Sequence, residues 1–245
     1  MILRSSACSS ISYSNLLNGH LCDALVTDPP YLLLEKRRAP QRSRPTFQPE
    51  VTRFHDVASY AVFLDSWLPL ALRCIKKEGT VIIFSNPIGS QSIQSCAQRE
   101  GWRLEGIIPW AKPTRAGGHP QLSTSSETFL RICEHALVFR TSATERTPSL
   151  LSQGRLSLFS LKCEVEEDAS PPTRRQHPSR KPFSVLEPLL ELTPEGGSIL
   201  DPFSGSGSVA AAAARLGRKP FGLEIDPGWA ALAQARLTRC LNEMK

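Results

Sequence analysis

Apolar and polar positions along the chain fall into two alternating patterns. Short apolar runs bounded by turn residues read as buried strands, and longer stretches with apolar residues three and four apart read as helices packed on them. Ala24–Thr27 is the first such run, a strand leading into Asp28. Val57–Lys77 has the helical period, with Pro69 placed to kink or divide it, because proline has no N–H and clashes with the preceding turn. Thr80–Phe84 is a further strand and Ile88–Arg99 a helix. Trp102–Trp110 and Glu127–Arg140 read as neighbouring strands around a loop that contains Gly117-Gly118, and this pair need not be parallel.

From Thr141 to Gln176 the periodicity fades. The segment is polar, rich in Ser, Thr and Pro, with an acidic cluster at Glu164, Glu166, Glu167 and Asp168, and reads as an insertion or flexible stretch. Regular pattern returns with a helix over Pro182–Leu192, proline at its start, then strand Ser198–Leu200, helix Val209–Leu216 and strand Phe221–Ile225. Asp226 then caps a last helix running towards Met244. This alternation predicts one α/β domain over residues 1–245, a mostly parallel sheet with helices on both faces.

Composition changes that picture little: 40% apolar and 21% charged residues are ordinary for a globular chain of this length. With 29 Lys+Arg against 23 Asp+Glu the net charge is +6, which suits an anionic partner but is common elsewhere. No apolar run approaches the roughly 18 residues a membrane helix needs, and Met1–His20 lacks the apolar core of a leader, so a cytoplasmic protein with no membrane partner is expected. The seven cysteines are scattered without a C-x-x-C pair or a nearby histidine; they read as reduced thiols, several in the core, and no metal site is expected. His20, His55, His119 and His135 read as surface or core histidines.

Two loops carry candidate chemistry. Ser198 to Asp226 is a strand, a glycine-rich turn, an alanine-rich helix and a second strand ending in acid, half of a nucleotide-binding βαβ unit. Gly205 and Gly207 let the backbone turn tightly and approach a ligand, the helix N-terminus offers free N–H groups, and Glu224 is placed to accept hydrogen bonds from ribose hydroxyls. Gly205-x-Gly207-x-x-Ala210 also fits a dinucleotide fingerprint, so this unit alone leaves nicotinamide and S-adenosylmethionine cofactors both open.

The other loop is Asp28-Pro29-Pro30-Tyr31, just beyond a strand, where α/β sheets place their sites. Two prolines stiffen the backbone and leave carbonyls without a competing N–H. The Asp28 carboxylate and the Pro29 carbonyl can accept both hydrogens of an amino group, while Tyr31 offers a ring for stacking. Methylation of an exocyclic base nitrogen needs such acceptors to localise a lone pair delocalised into the ring, and an aromatic face to hold a base flipped from its duplex.

With these two loops and His177-Pro178-Ser179-Arg180-Lys181-Pro182 between them, the chain resembles the beta group of DNA N4-cytosine/N6-adenine methyltransferases, in which the catalytic motif precedes the cofactor motif. Ile107–Lys112 and Glu134–Phe139 are similar to that family's paired strands near the target-base pocket. The resemblance implies a Rossmann-like methyltransferase fold with permuted motif order, S-adenosylmethionine as cofactor, and direct in-line transfer without a covalent enzyme intermediate. Asp28, Pro29, Pro30 and Tyr31 would handle the base; Asp201, Phe203, Ser204, Gly205 and Gly207 would contact the cofactor's methionine part and Glu224 its ribose, with Lys181 closing over it. Aspartate at the first catalytic position favours adenine N6 over cytosine N4. Double-stranded DNA is the implied partner, contacted through Lys36, Arg37, Arg38, Arg42 and Arg44 and through Arg174 and Arg175. A homodimer and a cognate restriction nuclease stay open, as do two other readings: a protein-glutamine methyltransferase, which usually carries Asn at the position of Asp28, and a DNA-binding relative with weak activity, given the short segment 141–176.

Overall fold

A computed structural model describes residues 1–33, 54–111, 133–141 and 180–243. Seven strands form one sheet in the order β1-β7-β6-β2-β3-β5-β4. The strands β1 (Ile2–Arg4), β7 (Lys219–Glu224), β6 (Ser198–Asp201), β2 (Cys22–Thr27) and β3 (Ile75–Ser85) pair in parallel. At the other edge β5 (Cys133–Arg140) runs antiparallel to β3, and β4 (Arg103–Ala111) antiparallel to β5. The reversal of β5 sets its first residues against the end of β3, with His135 opposite Ser85.

Helices cover both faces, because side chains on successive strand residues point to opposite sides. On one face α1 (Ser10–Leu17), α2 (Val57–Leu72) and α3 (Ser90–Arg99) bring Leu16, Tyr60, Leu64, Trp67 and Ile93 onto Leu25, Val81, Ile83 and Leu137. On the other, α4 (Phe183–Leu190) and α5 (Ser208–Arg215) lay Val185, Leu186, Leu189, Ala212 and Ala213 onto Val26, Ile82, Phe84, Val138 and Ile199. The last helix, α6 (Pro227–Glu243), packs Ala233 and Leu237 on Ala210, Ala214 and Ile2. Side chains such as Trp67, Leu25 and Ile82 are fully buried, each contributing about 1.5–3 kcal/mol. No helix among the described residues is long and apolar enough to cross a membrane.

Most predicted elements form within a residue or two. Asp226 caps α6 as expected, its Oδ1 accepting from the Trp229 N–H at 2.8 Å. The helix predicted over Val57–Lys77 is a correction: α2 stops at Leu72, and Ile75 to Lys77 open β3, where Ile75 pairs with Cys22. Pro69 sits inside the last turn without dividing the helix, and Arg73 closes that turn by donating to the Pro69 carbonyl. Two elements lie outside the prediction, β1 and α1; the latter ends at Asn18, whose left-handed φ of 48° closes it. Cys22 and Cys96 are buried while Cys8 is exposed. The segment 142–179 and the Gly117-Gly118 loop lie outside the described residues.

The sheet has a switch point. β2 leads into α2 on one face, β6 into α5 on the other, and the two strands are neighbours through Ala24 with Ile199 and Leu25 with Leu200. Their loops therefore diverge above one crevice at the carboxyl edge, where open α/β sheets bind ligands.

Candidate active site

The β6 loop is built on a buried carboxyl. Asp201 accepts from Thr27 Oγ1 at 2.7 Å and from the Phe203 N–H at 3.2 Å, so the ends of β2 and β6 are tied together. Burial outweighs these bonds and pushes its pKa up to about 7. Ser204 donates its N–H to the Leu223 carbonyl at 2.9 Å and its hydroxyl to the Asp201 carbonyl at 3.0 Å. Gly205, in the left-handed region at φ 50°, donates its N–H to Glu224 Oε2 at 2.8 Å. The other oxygen of Glu224 accepts the Asp226 N–H at 2.9 Å, and burial raises its pKa above the ordinary value.

The two motif glycines do different work. A Cβ on Gly207 would stand 2.9 Å from both Cα and Cβ of Ala233, so this glycine lets α5 pack closely on α6. Gly205 serves the turn itself through its positive φ. A third glycine, Gly222 on β7, leaves room for Ser204, whose Oγ would lie 2.1 Å from a Cβ there. Phe203 stands edge-on to Trp67, ring centroids 4.8 Å apart, and 5.8 Å from Phe63, and is thereby fixed against α2. Ile225, directly after Glu224, is 70% exposed and offers an apolar surface beside the acid.

The β2 loop follows the neighbouring parallel strand at the same carboxyl edge. The Asp28 side chain is 15% accessible, and its Oδ2 accepts a hydrogen bond from Lys181 Nζ. Lys181 also pairs with Glu134 Oε2 at 3.1 Å, and the Tyr31 hydroxyl donates to that same oxygen at 3.2 Å. Three aromatic rings surround the ammonium, with centroids at 5.0 Å (Phe84), 5.6 Å (Tyr31) and 6.0 Å (Trp110). The remaining acceptor, Asp28 Oδ1, is buried without a hydrogen-bond partner.

Electrostatics follow from this enclosure. Burial raises the Asp28 pKa, the Lys181 ammonium opposes that rise, and the Glu134 charge adds to it. Burial disfavours the charged Lys181, but Asp28 and Glu134 together hold its pKa above the ordinary value. Tyr31 is held protonated, its pKa raised by burial and by both carboxylates.

Of the residues singled out from sequence, Asp28, Tyr31 and Lys181 are brought together with Glu134, and Asp201, Ser204, Gly205 and Glu224 are joined by hydrogen bonds around the β6 loop. Lys181 pairs with the Asp28 carboxylate, whereas the resemblance implies that it closes over the cofactor. Glu134 had no role beyond its place in a family-like strand; the signal available was one acid at the head of the apolar run 134–139. It reaches the site because β5 is reversed, which sets the start of that strand at the carboxyl edge. Among the histidines, His55 Nδ1 lies 3.0 Å from the Leu33 carbonyl and His135 Nδ1 3.4 Å from Ser90 Oγ. Lys36, Arg37, Arg38, Arg42, Arg44, Arg174, Arg175, His119 and His177 to Ser179 lie outside the described residues. Described residues next to Asp28 also pair with one another: the Leu33 N–H donates to the Phe54 carbonyl at 2.6 Å and the Phe54 N–H to the Tyr31 carbonyl at 3.3 Å.

Comparison with known proteins identifies the family and agrees with the fold. A family model described as DNA methylase, of the N6/N4 type, matches residues 22–235. The Type II methyltransferase M2.DpnII of Streptococcus pneumoniae is 31% identical over 185 residues, 71% of this chain and 66% of its own length, so the match spans just under two thirds of that relative. In fold the chain is similar to the M1.HpyAVI–SAM complex, with a TM-score of 0.65 at 19% identity over 97% of this chain and 98% of that one. It is also similar to the cytosine-N4-specific PvuII DNA methyltransferase, with a TM-score of 0.59 at 14% identity over 99% and 91%. The chain belongs to the N6/N4 family of DNA methylases.

Proposed function

We propose that this chain transfers a methyl group from S-adenosylmethionine to the exocyclic amino group of a base flipped out of DNA, with adenine N6 as the target. One observation carries the reading: Asp28 Oδ1, a buried acceptor with no partner, stands at the switch-point crevice on a loop whose second residue supplies a carbonyl with no N–H of its own. A buried unpartnered acceptor costs stability unless a ligand satisfies it. An amino group does so, donating one hydrogen to Oδ1 and the other to the Pro29 carbonyl. That pairing draws the nitrogen lone pair out of the ring and towards an electrophile. Tyr31, fixed through its hydroxyl to Glu134, presents its ring to the base.

The β6 loop suits the cofactor. Gly205 presents backbone with no side chain, each Glu224 oxygen accepts one backbone bond and keeps further lone pairs for ribose hydroxyls, and exposed Ile225 offers an apolar contact for a nucleobase. When bound, S-adenosylmethionine supplies a methyl carbon made electrophilic by its sulfonium. Asp201 and Phe203 hold the loop in shape, Asp201 from Thr27 and Phe203 from Trp67. DNA binds through phosphate contacts from Lys36, Arg37, Arg38, Arg42 and Arg44, which follow the Asp28 to Tyr31 loop in the sequence, and from Arg174 and Arg175. Aspartate at position 28 supports adenine; cytosine N4 presents the same two hydrogens and is the second reading.

The test is transfer of labelled methyl from S-adenosylmethionine to duplex DNA by the wild type and by Asp28→Ala. The variant is expected to lose turnover by about a thousandfold, as when a transition-state hydrogen-bond partner is removed, while cofactor binding measured by calorimetry stays unchanged. Methylation that survives in Asp28→Ala would overturn the assignment.

A further inference from the structure

The sheet brings a second carboxylate and an ammonium to Asp28 from two other parts of the chain. Glu134 comes from the start of β5 and Lys181 from just before α4. A single oxygen of Glu134 receives both Lys181 Nζ and the Tyr31 hydroxyl. The side chains of Lys181 and Glu134 are 5% and 10% accessible, so neither pair is a surface bridge.

Resting on the amine-methylation reading above, we propose that Lys181 and Glu134 are positioning residues of the transfer site. Lys181 occupies Asp28 Oδ2 and so leaves Oδ1 as the acceptor for the amine, while Glu134 anchors both that ammonium and the stacking ring. The charge count supports this division. Two carboxylates and one ammonium leave a net single negative charge, which favours positive charge developing on the attacking nitrogen. Without the ammonium, two neighbouring buried carboxylates share a site and one takes a proton. When that one is Asp28, the carboxyl gains a hydrogen that competes with those of the amine, and the neutral acid is a weaker acceptor than the carboxylate.

The titratable groups facing Asp28 among the described residues are Lys181, Glu134, Tyr31 on its own loop, Tyr60 from α2 and Asp201 at the end of β6. Tyr31 and Tyr60 both have raised pKa values, by burial first, and stay neutral. Lys181 is thus the one cation in the set, and Glu134 the acid that touches it besides Asp28.

Removing these two residues therefore has opposite effects. Lys181→Met is expected to move the Asp28 titration to higher pH by more than one unit, a tenfold or larger change in proton affinity. Glu134→Gln keeps acceptors for Tyr31 and Lys181 but removes a negative charge, so the titration moves to lower pH. The double variant, with a single carboxylate left, is expected to titrate below Lys181→Met alone, and Lys181→Arg to stay near the wild type.

The midpoints are read from carboxyl resonances of ¹³C-aspartate-labelled protein without cofactor, with Asp28→Asn identifying the peak, and from the acid limb of the methyl-transfer pH profile. Opposite shifts, tracked by both readouts, support the proposal; shifts in one direction, or lower rates with unmoved midpoints, overturn it. The resonance titration stands apart from activity: a wild type that transfers no methyl to DNA counts against the methylation reading, whereas an active wild type with unmoved variants counts against the positioning role alone.

Discussion

At the scale of single residues, burial raises the pKa of the Asp28, Asp201 and Glu224 carboxyls, and the groups that touch each one oppose that rise to different degrees. Asp201 shows the consequence for stability. Its pKa is about 7 when folded and near 3.8 when unfolded, so the folded chain holds more protons between these values. Stability contributed by Asp201 is fully present below pH 3.8 and is lost as pH rises through 7. Asp201→Asn keeps an acceptor for the Thr27 hydroxyl and the Phe203 N–H and removes the titration. Urea unfolding at intervals between pH 4 and 7 is expected to show a falling stability for the wild type and a flatter course for the variant; parallel courses would mean that Asp201 ionises normally.

Among the elements, glycine placement decides how closely α5 approaches its neighbours. Gly207 combines a φ of 77° with a Cβ position 2.9 Å from the Ala233 backbone. Gly207→Ala is expected to cost about 1–3 kcal/mol in urea unfolding and to weaken S-adenosylmethionine binding, because the loop ahead of α5 must shift with it. A variant as stable as the wild type would contradict the close-packing role.

The same scale shows what the sequence could reveal. Asp28 to Tyr31 and Asp201 to Gly207 were legible because each follows an apolar run and carries residues with one strong backbone meaning, proline and glycine. The helix over Val57–Lys77 was overrun because Ile75 is apolar at a helix-compatible spacing, and only its pairing with Cys22 makes it strand. β1 is too short, at three residues, for any period to register. Glu134 was illegible as a site residue for a topological reason: strand ends were expected to carry the chemistry, and the antiparallel course of β5 brings a strand beginning there instead.

For the whole molecule, two loops far apart in the chain come to neighbouring strand ends because β2 and β6 are sheet neighbours, and the Asp28 to Tyr31 loop comes first in the chain without changing that geometry. The net charge of +6 favours an anionic partner at a distance, and the proposed close-range phosphate contacts come from Lys36, Arg37, Arg38, Arg42 and Arg44. Changing Lys36, Arg37 and Arg38 together to Ala is expected to reduce the slope of log Kd against log salt by about 2 to 3, at roughly 0.9 per lost phosphate contact, with a similar loss on DNA of any sequence. An unchanged slope would remove this segment from the interface.

The central claim, transfer to an exocyclic amine, is tested most directly by sequencing genomic DNA for modified bases after expression in a host that lacks DNA methylation. N6-methyladenine in a defined context, absent with Asp28→Ala, is the predicted result. DNA free of N6-methyladenine and N4-methylcytosine, with the protein folded and bound to S-adenosylmethionine, would contradict it.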